Sequence, residues 1–350
     1  MLTKQEKLNR EKIKKNKPLV YDKTVKFKEK YENGESIAII QLHYDYKCNF
    51  KCTHCSISDF KNKNYNKNAK SLDLETVRRV AKEADDLGLA HFDITGGEPT
   101  LFSDMKELVE AIDPSKFYIQ CDTNGWLMTK EKAEYFKSLG IDKIQLSLDS
   151  LDEEEHDSFR HKKGSYKRAI ESIDIIKNAG LEMHISTVVT HSRARSEEFL
   201  EFLDFVKSKD LGVSICFPKP VGEWANKFED LITREDIEYI DNLSKTYNVF
   251  NHLTPGYGID AGCIAVKRMI SITMYGDVLP CPWMYFSLGN VFDNSLETIL
   301  KKGMKYFEEH QKKCLVSEDL NFINKYISQT YDTNIPVPIE KIMPKGKYEI

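Results

Sequence analysis

Three cysteines crowd the stretch CNFKCTHC: Cys48, Cys52 and Cys55. A loop with three residues in the first gap and two in the second can aim three thiolates at one point. Soft thiolates select zinc or iron–sulfur. A closed structural zinc site takes four ligands, and His54, lying between two of the cysteines, could hardly reach the same tetrahedron. Three ligands on a four-iron cube leave one iron free to bind something else. The neighbouring stretch TGGEPTLF, residues 95–102, favours the cube. Two glycines and a proline at a strand end let the backbone come close to a ligand, and Glu98 is expected to be an acceptor aimed at the same mouth. Alone such a turn is a tight bend; one strand–helix unit after the cysteine loop it becomes specific.

Six β-rich runs must position these residues: 37–44, 91–95, 117–121, 143–149, 183–189 and 212–217. They are short and bounded by polar, Gly or Pro punctuation, so they read as strands. Between them lie LETVRRVAKEADDLG, DMKELVEAI, KEKAEYFKSLG, YKRAIESIDIIKNAG and SEEFLEFLDFVKSK, whose apolar residues recur at three and four, the period of a helix. This alternation argues for a parallel sheet. Six such units can curl into an open, partial barrel, and in a barrel or an open α/β sheet the chemistry sits at the C-terminal strand ends. The cysteine loop follows the first strand and TGGEP the second. Helices are also expected over 232–248 and 295–309, and the Pro- and Lys-rich tail from 331 reads as irregular.

The composition is that of an ordinary soluble chain, with 41% hydrophobic and 30% charged residues and a net charge of −4. That charge gives no general pull toward nucleic acid or anionic membrane. No apolar run approaches the roughly 18 residues that span a bilayer. The basic start, MLTKQEKLNREKIKKNKP, lacks the apolar core of a secretory signal. It reads as a solvated helix or frayed arm, with docking of an acidic partner as the alternative. Eight cysteines in a chain of this size suit a reducing cytoplasm, where clustered thiols bind metal or do chemistry.

Cys48-x3-Cys52-x2-Cys55 followed by Gly96-Gly97-Glu98-Pro99 resembles the radical S-adenosylmethionine (SAM) superfamily, over about residues 37–217. The resemblance implies that the three cysteines hold a [4Fe–4S] cluster whose free iron chelates SAM. The Gly96–Pro99 turn is then expected to bind the SAM amino group, with His54 near the adenine. Ser147, Asp149, Ser186 and Thr187 are candidates for the ribose. Asn124, in a Thr-Asn-Gly turn after the third strand, is a further candidate contact. An electron from the cluster would break the S–C5′ bond, and the 5′-deoxyadenosyl radical would take hydrogen from a substrate.

In the C-terminal part, Tyr275-Gly276-Asp277 reads as a hairpin turn between two apolar runs; a hairpin brings its flanks together, so Cys263 and Cys281 could meet. With the following LGN and Cys314, this resembles the SPASM and shorter twitch extensions of radical SAM enzymes, which carry auxiliary [4Fe–4S] clusters. A full SPASM extension has more cysteines after the hairpin, so at most one auxiliary cluster fits. Its fourth position could be open to substrate or filled by His310 or another side chain; a cluster-free domain with ordinary buried cysteines is the alternative. Cys121 and Cys216 are isolated, and most such cysteines are small hydrophobes. A lone thiol near the mouth could instead donate hydrogen to a substrate radical, as in radical SAM epimerases, and Cys216 is the better candidate.

The expected fold is α/β: a partial (β/α)6 TIM-like barrel with a small C-terminal cysteine-bearing β-hairpin/helix extension. The expected divisions are a basic N-terminal arm (1–36), the barrel (37–250), a twitch/SPASM-like auxiliary domain (251–330) and an irregular tail (331–350). The expected function is cytoplasmic radical chemistry, oxidising or rearranging a small molecule or short peptide, with flavodoxin or ferredoxin as electron donor. The short stretch ahead of the first strand is too small for a peptide-recognition domain. The alternatives are a peptide-modifying maturase or epimerase of the same superfamily and, in a different class, a non-catalytic iron–sulfur or zinc protein.

Overall fold

The computed structural model describes residues 4–58, 60, 69–308, 312–331, 333 and 335–346. The chain opens with helices α1 (Lys4–Asn16), α2 (Pro18–Thr24) and α3 (Phe27–Glu32). Six strands then run parallel in sequence order: β1 (Ile39–Asp45), β2 (His91–Gly96), β3 (Tyr118–Thr123), β4 (Lys143–Ser147), β5 (Glu182–Val188) and β6 (Gly212–Cys216). The helices between them are α4 (Leu74–Asp86), α5 (Met105–Ile112), α6 (Lys130–Leu139), α7 (Glu153–Arg160), α8 (Ser165–Asn178) and α9 (Glu197–Ser208). Local chemistry sets their ends. Asp73 caps α4 by accepting from Thr76 N at 2.7 Å, Ser196 caps α9 from Phe199 N, and Gly140 closes α6 at φ +91. On α4 the buried positions are Thr76, Val77, Val80, Ala81 and Ala84, one stripe against the sheet.

The strands alternate as a sheet with two different faces. Ile40, Leu42, Phe92, Ile94, Ile144, Leu146 and Ile185 point outward and are sealed under the helices. The inward positions carry Gln41, Asp93, Gln120, Asp122, Gln145, Ser147, Ser186, Ser214 and Cys216, and most are only half-buried. They form a polar belt: Ser271 Oγ donates to Gln41 Oε1 at 3.1 Å, Gln41 Nε2 to Asp93 Oδ2 at 3.2 Å, and Gln120 Nε2 to Asp122 Oδ1 at 3.0 Å. A packed (β/α)8 barrel fills this space with branched apolar side chains; here it is lined for polar contents.

Four features depart from the sequence expectations. A short strand β7 (Val249–Asn251) follows α10 (Arg234–Leu243) and pairs with β6. The C-terminal hairpin, β8 (Met269–Ile272) and β9 (Val278–Leu279), joins the main sheet: β8 pairs parallel with β1 and antiparallel with β9, giving nine strands in the order β7-β6-β5-β4-β3-β2-β1-β8-β9. The tail is not irregular. After α11 (Leu296–Tyr306), α12 (Leu320–Lys325) and a strand β10 (Phe286–Ser287) that precedes them, residues Val337–Pro338 form β11 on β10, and α13 (Ile339–Ile342) buries Ile339 and Ile342. Two isoleucines in a Pro- and Lys-rich stretch were too few to show as a pattern.

Of the two forms expected for the N-terminal arm, the described residues take the helix rather than the frayed chain, and its later helices are packed rather than solvated. Val20 and Phe27 are buried in a second apolar cluster with Ile37, Ala90, Ile259 and Ala261. Lysines fix the helices to the N-terminal strand ends. Lys17 Nζ donates to Phe117 O at 2.8 Å and pairs with Asp142 at 2.5 Å; Lys23 Nζ donates to Lys116 O at 2.9 Å and pairs with Asp85 at 2.7 Å. Long lysine stems let a basic surface helix pack while keeping its charges paired. Phe27 meets Tyr257 edge-on at 5.0 Å. Phe27→Ala is expected to cost about 3–5 kcal/mol, as for other buried aromatics, read as a fall in the urea midpoint with unchanged slope.

Candidate functional site

The cysteine loop leaves β1 through a β-bulge between His43 and Asp45. A bulge bends a strand and re-aims the chain beyond it, and the chain beyond this one is Tyr46, Lys47 and Cys48. The turn after β2 is bonded to this segment by its backbone. Gly97 N donates to Asp45 O at 2.8 Å and Glu98 N to Lys47 O at 2.9 Å. Gly96 sits at φ +119, and a Cβ on Gly97 would lie 2.0 Å from Lys47 O. The side-chain space at Gly97 is therefore taken by this chain's own main chain, whereas the sequence suggested room for a ligand.

Glu98 also differs from expectation. It does not face the mouth. Its carboxylate is buried and accepts from Thr100 N at 3.0 Å, Thr100 Oγ1 at 2.6 Å, Thr123 Oγ1 at 2.7 Å and Asn124 N at 2.8 Å. Burial raises its pKa and the four donors work against that rise. Glu98 is thus the brace that joins the turns after β2 and β3, and Pro99 opens the single 3₁₀ turn beneath it. Asn124 continues the brace: its Nδ2 donates to Asn49 Oδ1 at 2.9 Å, inside the cysteine loop.

The loop is gripped from two further sides. Thr53 N and Thr53 Oγ1 donate to Phe159 O at 2.9 and 3.0 Å, at the end of α7. Glu223 N donates to Cys55 O at 3.1 Å, and Tyr285 of the C-terminal part hydrogen-bonds Ser56 O. His54 stacks on Phe159 at 4.6 Å and 9° and lies 5.9 Å from Trp224. Burial, aided by the charge of Arg160, pushes its pKa down to about 3, so it is neutral.

Arg160 was not anticipated from the sequence. Its Nε donates to Asp149 Oδ2 at 2.6 Å and its Nη1 to Cys52 Sγ at 3.9 Å. Burial alone would raise the Asp149 carboxyl, but the charge and hydrogen bond of the Arg160 guanidinium outweigh it, and Asp149 is held below the usual range. The other Asp149 oxygen accepts from Val188 N at 3.3 Å. Asp149 therefore anchors a buried cation beside Cys52. The acidic start and Arg-ended finish of LDEEEHDSFR, with Asp152 as cap, were the available helix signal. Thr187 is buried and accepts from Arg193 Nη1 at 2.7 Å, away from the mouth. Ser147 and Ser186 are partners across β4 and β5, and Ser186 Oγ lies 3.7 Å from Cys216 Sγ. Cys121 is fully buried on the outward face, as a small hydrophobe.

These residues fit an iron–sulfur cluster. Cys48, Cys52 and Cys55 are half-buried and stand outside any disulfide, Phe50 N donates to Cys48 Sγ at 3.4 Å, and Arg160 supplies positive charge at Cys52. Among the described residues no three His, Cys, Asp or Glu are gathered tightly enough for a single ion; thiolates of a cube bind separate irons and need not converge on one point. Cys263, Cys281 and Cys314 form a second, buried group. The backbone N–H groups of Ala265 and Leu315 serve Cys263, and that of Trp283 serves Cys281. Burial pushes the Cys263 thiol up to about 11, with the charge of Cys314 adding to the rise; Cys281 is raised by burial and then by Cys263. Sulfur-directed N–H groups suit cluster ligands. His310, a candidate fourth ligand, lies outside the described residues.

Gly97→Ala is expected to disturb the cysteine loop directly, because neither the Lys47 carbonyl nor the two seam bonds can move independently of Cys48. The outcome is a lower melting temperature together with reduced iron uptake at the first site. Full iron content and an unchanged melt would show the seam to be dispensable.

Comparison with known proteins agrees with this geometry. The family model of the radical SAM superfamily matches residues 46–206, and that of the SPASM iron–sulfur cluster-binding domain matches residues 263–317. The chain is 30% identical over 240 residues to the probable GTP 3′,8-cyclase of Saccharolobus solfataricus, covering 66% of this chain and 74% of that protein. It is 28% identical over 295 residues to the antilisterial bacteriocin subtilosin biosynthesis protein AlbA of Bacillus subtilis, covering 77% of this chain and 63% of that relative's length. The fold is shared with Streptococcus suis SuiB, solved with its precursor peptide SuiA, at a TM-score of 0.61 and 20% identity, over 78% of this chain and 66% of that one. With its cysteine loop, its braced glycine turn and its second cysteine group, this chain belongs to the radical SAM superfamily: an enzyme of SAM and [4Fe–4S] chemistry with a SPASM-type extension for auxiliary iron–sulfur.

Proposed function

We propose that Cys48, Cys52 and Cys55 hold the SAM-binding cluster, that Cys263, Cys281 and Cys314 hold an auxiliary cluster, and that a peptide or peptide-like substrate is oxidised between them. When bound, the first cluster and SAM supply the electron and the 5′-deoxyadenosyl radical that takes a substrate hydrogen. The observation that carries this reading is the position of Cys216. It ends β6 on the polar inner face, with Ser186 Oγ 3.7 Å from its sulfur. Three residues further on, Lys219 rests on the ring of Trp283, which follows Cys281, so β6 leads from this face toward the second set of cysteines.

In this reading the chain's own residues have distinct tasks. The Gly96–Pro99 turn, held by the seam to Asp45 and Lys47, positions the cysteine loop and offers backbone polar groups to SAM. Arg160 Nη1, beside Cys52, gives an anionic group on the cluster its counter-charge. Ser147 and Ser186 present hydroxyls from the inner face to the ribose. His54 with Phe159 and Trp224 forms an apolar wall that keeps water from the mouth.

SuiB was solved with a precursor peptide, which favours a peptide over a free small molecule. The cyclase relative keeps the small-molecule reading available. A second reading, epimerisation, draws on the Cys216 thiol 3.7 Å from Ser186. There Cys216 Sγ–H gives its hydrogen to the substrate carbon, and the sulfur recovers an electron and a proton from an external donor. Eight cysteines, none of them in a disulfide, favour a reducing cytoplasm, with flavodoxin or ferredoxin as reductant. Among the described residues no helix is long and apolar enough to cross a membrane.

The test is iron content and SAM cleavage after anaerobic reconstitution. Two cubes give about eight irons per chain. Replacing Cys48, Cys52 and Cys55 together by Ala is expected to leave about four and to abolish 5′-deoxyadenosine formation. Continued SAM cleavage by that variant would overturn the assignment of the first site, and a variant with no iron would overturn that of the second.

A further inference from the structure

We propose that Lys219 sets the reduction potential of the cluster at Cys263, Cys281 and Cys314: its buried ammonium makes that cluster the better electron acceptor. The inference rests on the reading of those three cysteines as ligands.

Lys219 follows β6 by three residues and is buried, at 4% exposure. Two loops of the second site close around it. Ser317 Oγ, beyond Cys314, donates to Pro218 O at 3.0 Å. Trp283, beyond Cys281, lies under the ammonium, with Nζ 4.0 Å from the ring centroid. Lys219 Nζ donates to Phe217 O at 2.8 Å, and no carboxylate among the described residues lies in ion-pair reach of it. The nearest acid, Glu318, is committed elsewhere: one oxygen accepts from Cys314 N at 2.6 Å and the other pairs with Arg234 at 3.1 Å.

Its ammonium therefore lacks a carboxylate counterpart among the described residues and stands among the loops that carry Cys281 and Cys314. Burial pushes the Lys219 pKa below its ordinary value, and Cys314, Cys216 and Cys281 offset only part of that fall. Lys267, also buried, acts on Cys263 from another side. A lysine buried without a carboxylate partner keeps its charge beside an anionic neighbour, and an iron–sulfur cluster with thiolate ligands is one. Accepting one electron makes the cluster more negative, with no bond made or broken and no proton required. A fixed cation nearby favours that reduced state, and burial spares the attraction from salt screening. Lys219 also follows Cys216, the end of β6, by three residues.

The experiment is a potentiometric titration of the reconstituted full-length holoenzyme, followed by electron paramagnetic resonance. SAM perturbs the first cluster's signal and so identifies the second as the SAM-insensitive one. Lys219→Met keeps the stem's packing on Trp283 and drops the charge; Lys219→Gln drops the charge and keeps a donor; Lys219→Arg restores the charge. The expected result is a lower midpoint for the SAM-insensitive signal in Met and Gln, return toward the original value in Arg, and no shift of the SAM-sensitive signal. Equal midpoints in all four proteins overturn the inference and leave the ligand assignment standing. Loss of the second signal in folded Met and Gln variants overturns it too, since Lys219 would then hold the site together. Absence of a second signal in the unaltered enzyme overturns the ligand assignment itself, and the inference with it.

Discussion

Two main-chain hydrogen bonds, Gly97 N to Asp45 O and Glu98 N to Lys47 O, join the turn after β2 to the segment that enters the cysteine loop. Their position explains the sequence around them. The bulge at the end of β1 brings the Asp45–Lys47 carbonyls across to β2, and the missing side chain at Gly97 lets the two backbones meet. Glu98 then uses its whole carboxylate to tie the same turn to Thr100, Thr123 and Asn124. Main-chain contacts are short and have few alternative geometries. The entry to the cysteine loop is consequently fixed by backbone, and the rest of the loop is held by both main-chain and side-chain bonds, from Asn124, Thr53 and Glu223.

Around that fixed point the charges are unevenly distributed. The inner face of the sheet carries acids and amides, while the buried cations Arg160 and Lys219 stand toward the first and second sets of cysteines. Arg160 is balanced by Asp149 and touches Cys52; Lys219 has no carboxylate and rests on Trp283. In a low-dielectric interior such charges act strongly and over several neighbours. The same face holds Ser186 and Cys216, so a group placed there meets both cation-bearing regions. Tyr285, hydrogen-bonded to Ser56 O, and β8, paired with β1, make the C-terminal part continuous with the wall of this space.

Much of this was legible because it is local. Strand and helix periods, caps such as Asp73 and Ser196, and the glycine stop at Gly140 are short-range signals, and the β/α order follows from them. The spacing of Cys48, Cys52 and Cys55 and of Gly96-Gly97-Glu98-Pro99 carried the superfamily. The N-terminal helices and the tail escaped because each is held by one or two apolar residues and by long-range partners: Phe27 against Tyr257, Lys17 against Asp142, and β11 against β10. No window of sequence contains both members of those pairs.

Residue types and spacings by themselves determined which side chains could do chemistry and at which strand ends they would lie, since a period of two or 3.6 and a three-residue gap are properties of a short segment. Only the tertiary structure decided which way those side chains turn and what charge surrounds them. Glu98 and Thr187, polar residues at strand ends, are consumed by internal hydrogen bonds. Arg160 and Lys219, unremarked in the sequence, become the cations beside the cysteines. The physical reason is that a hydrogen bond or buried charge is settled by its partner, and here the partners lie on strands and loops far apart in the chain.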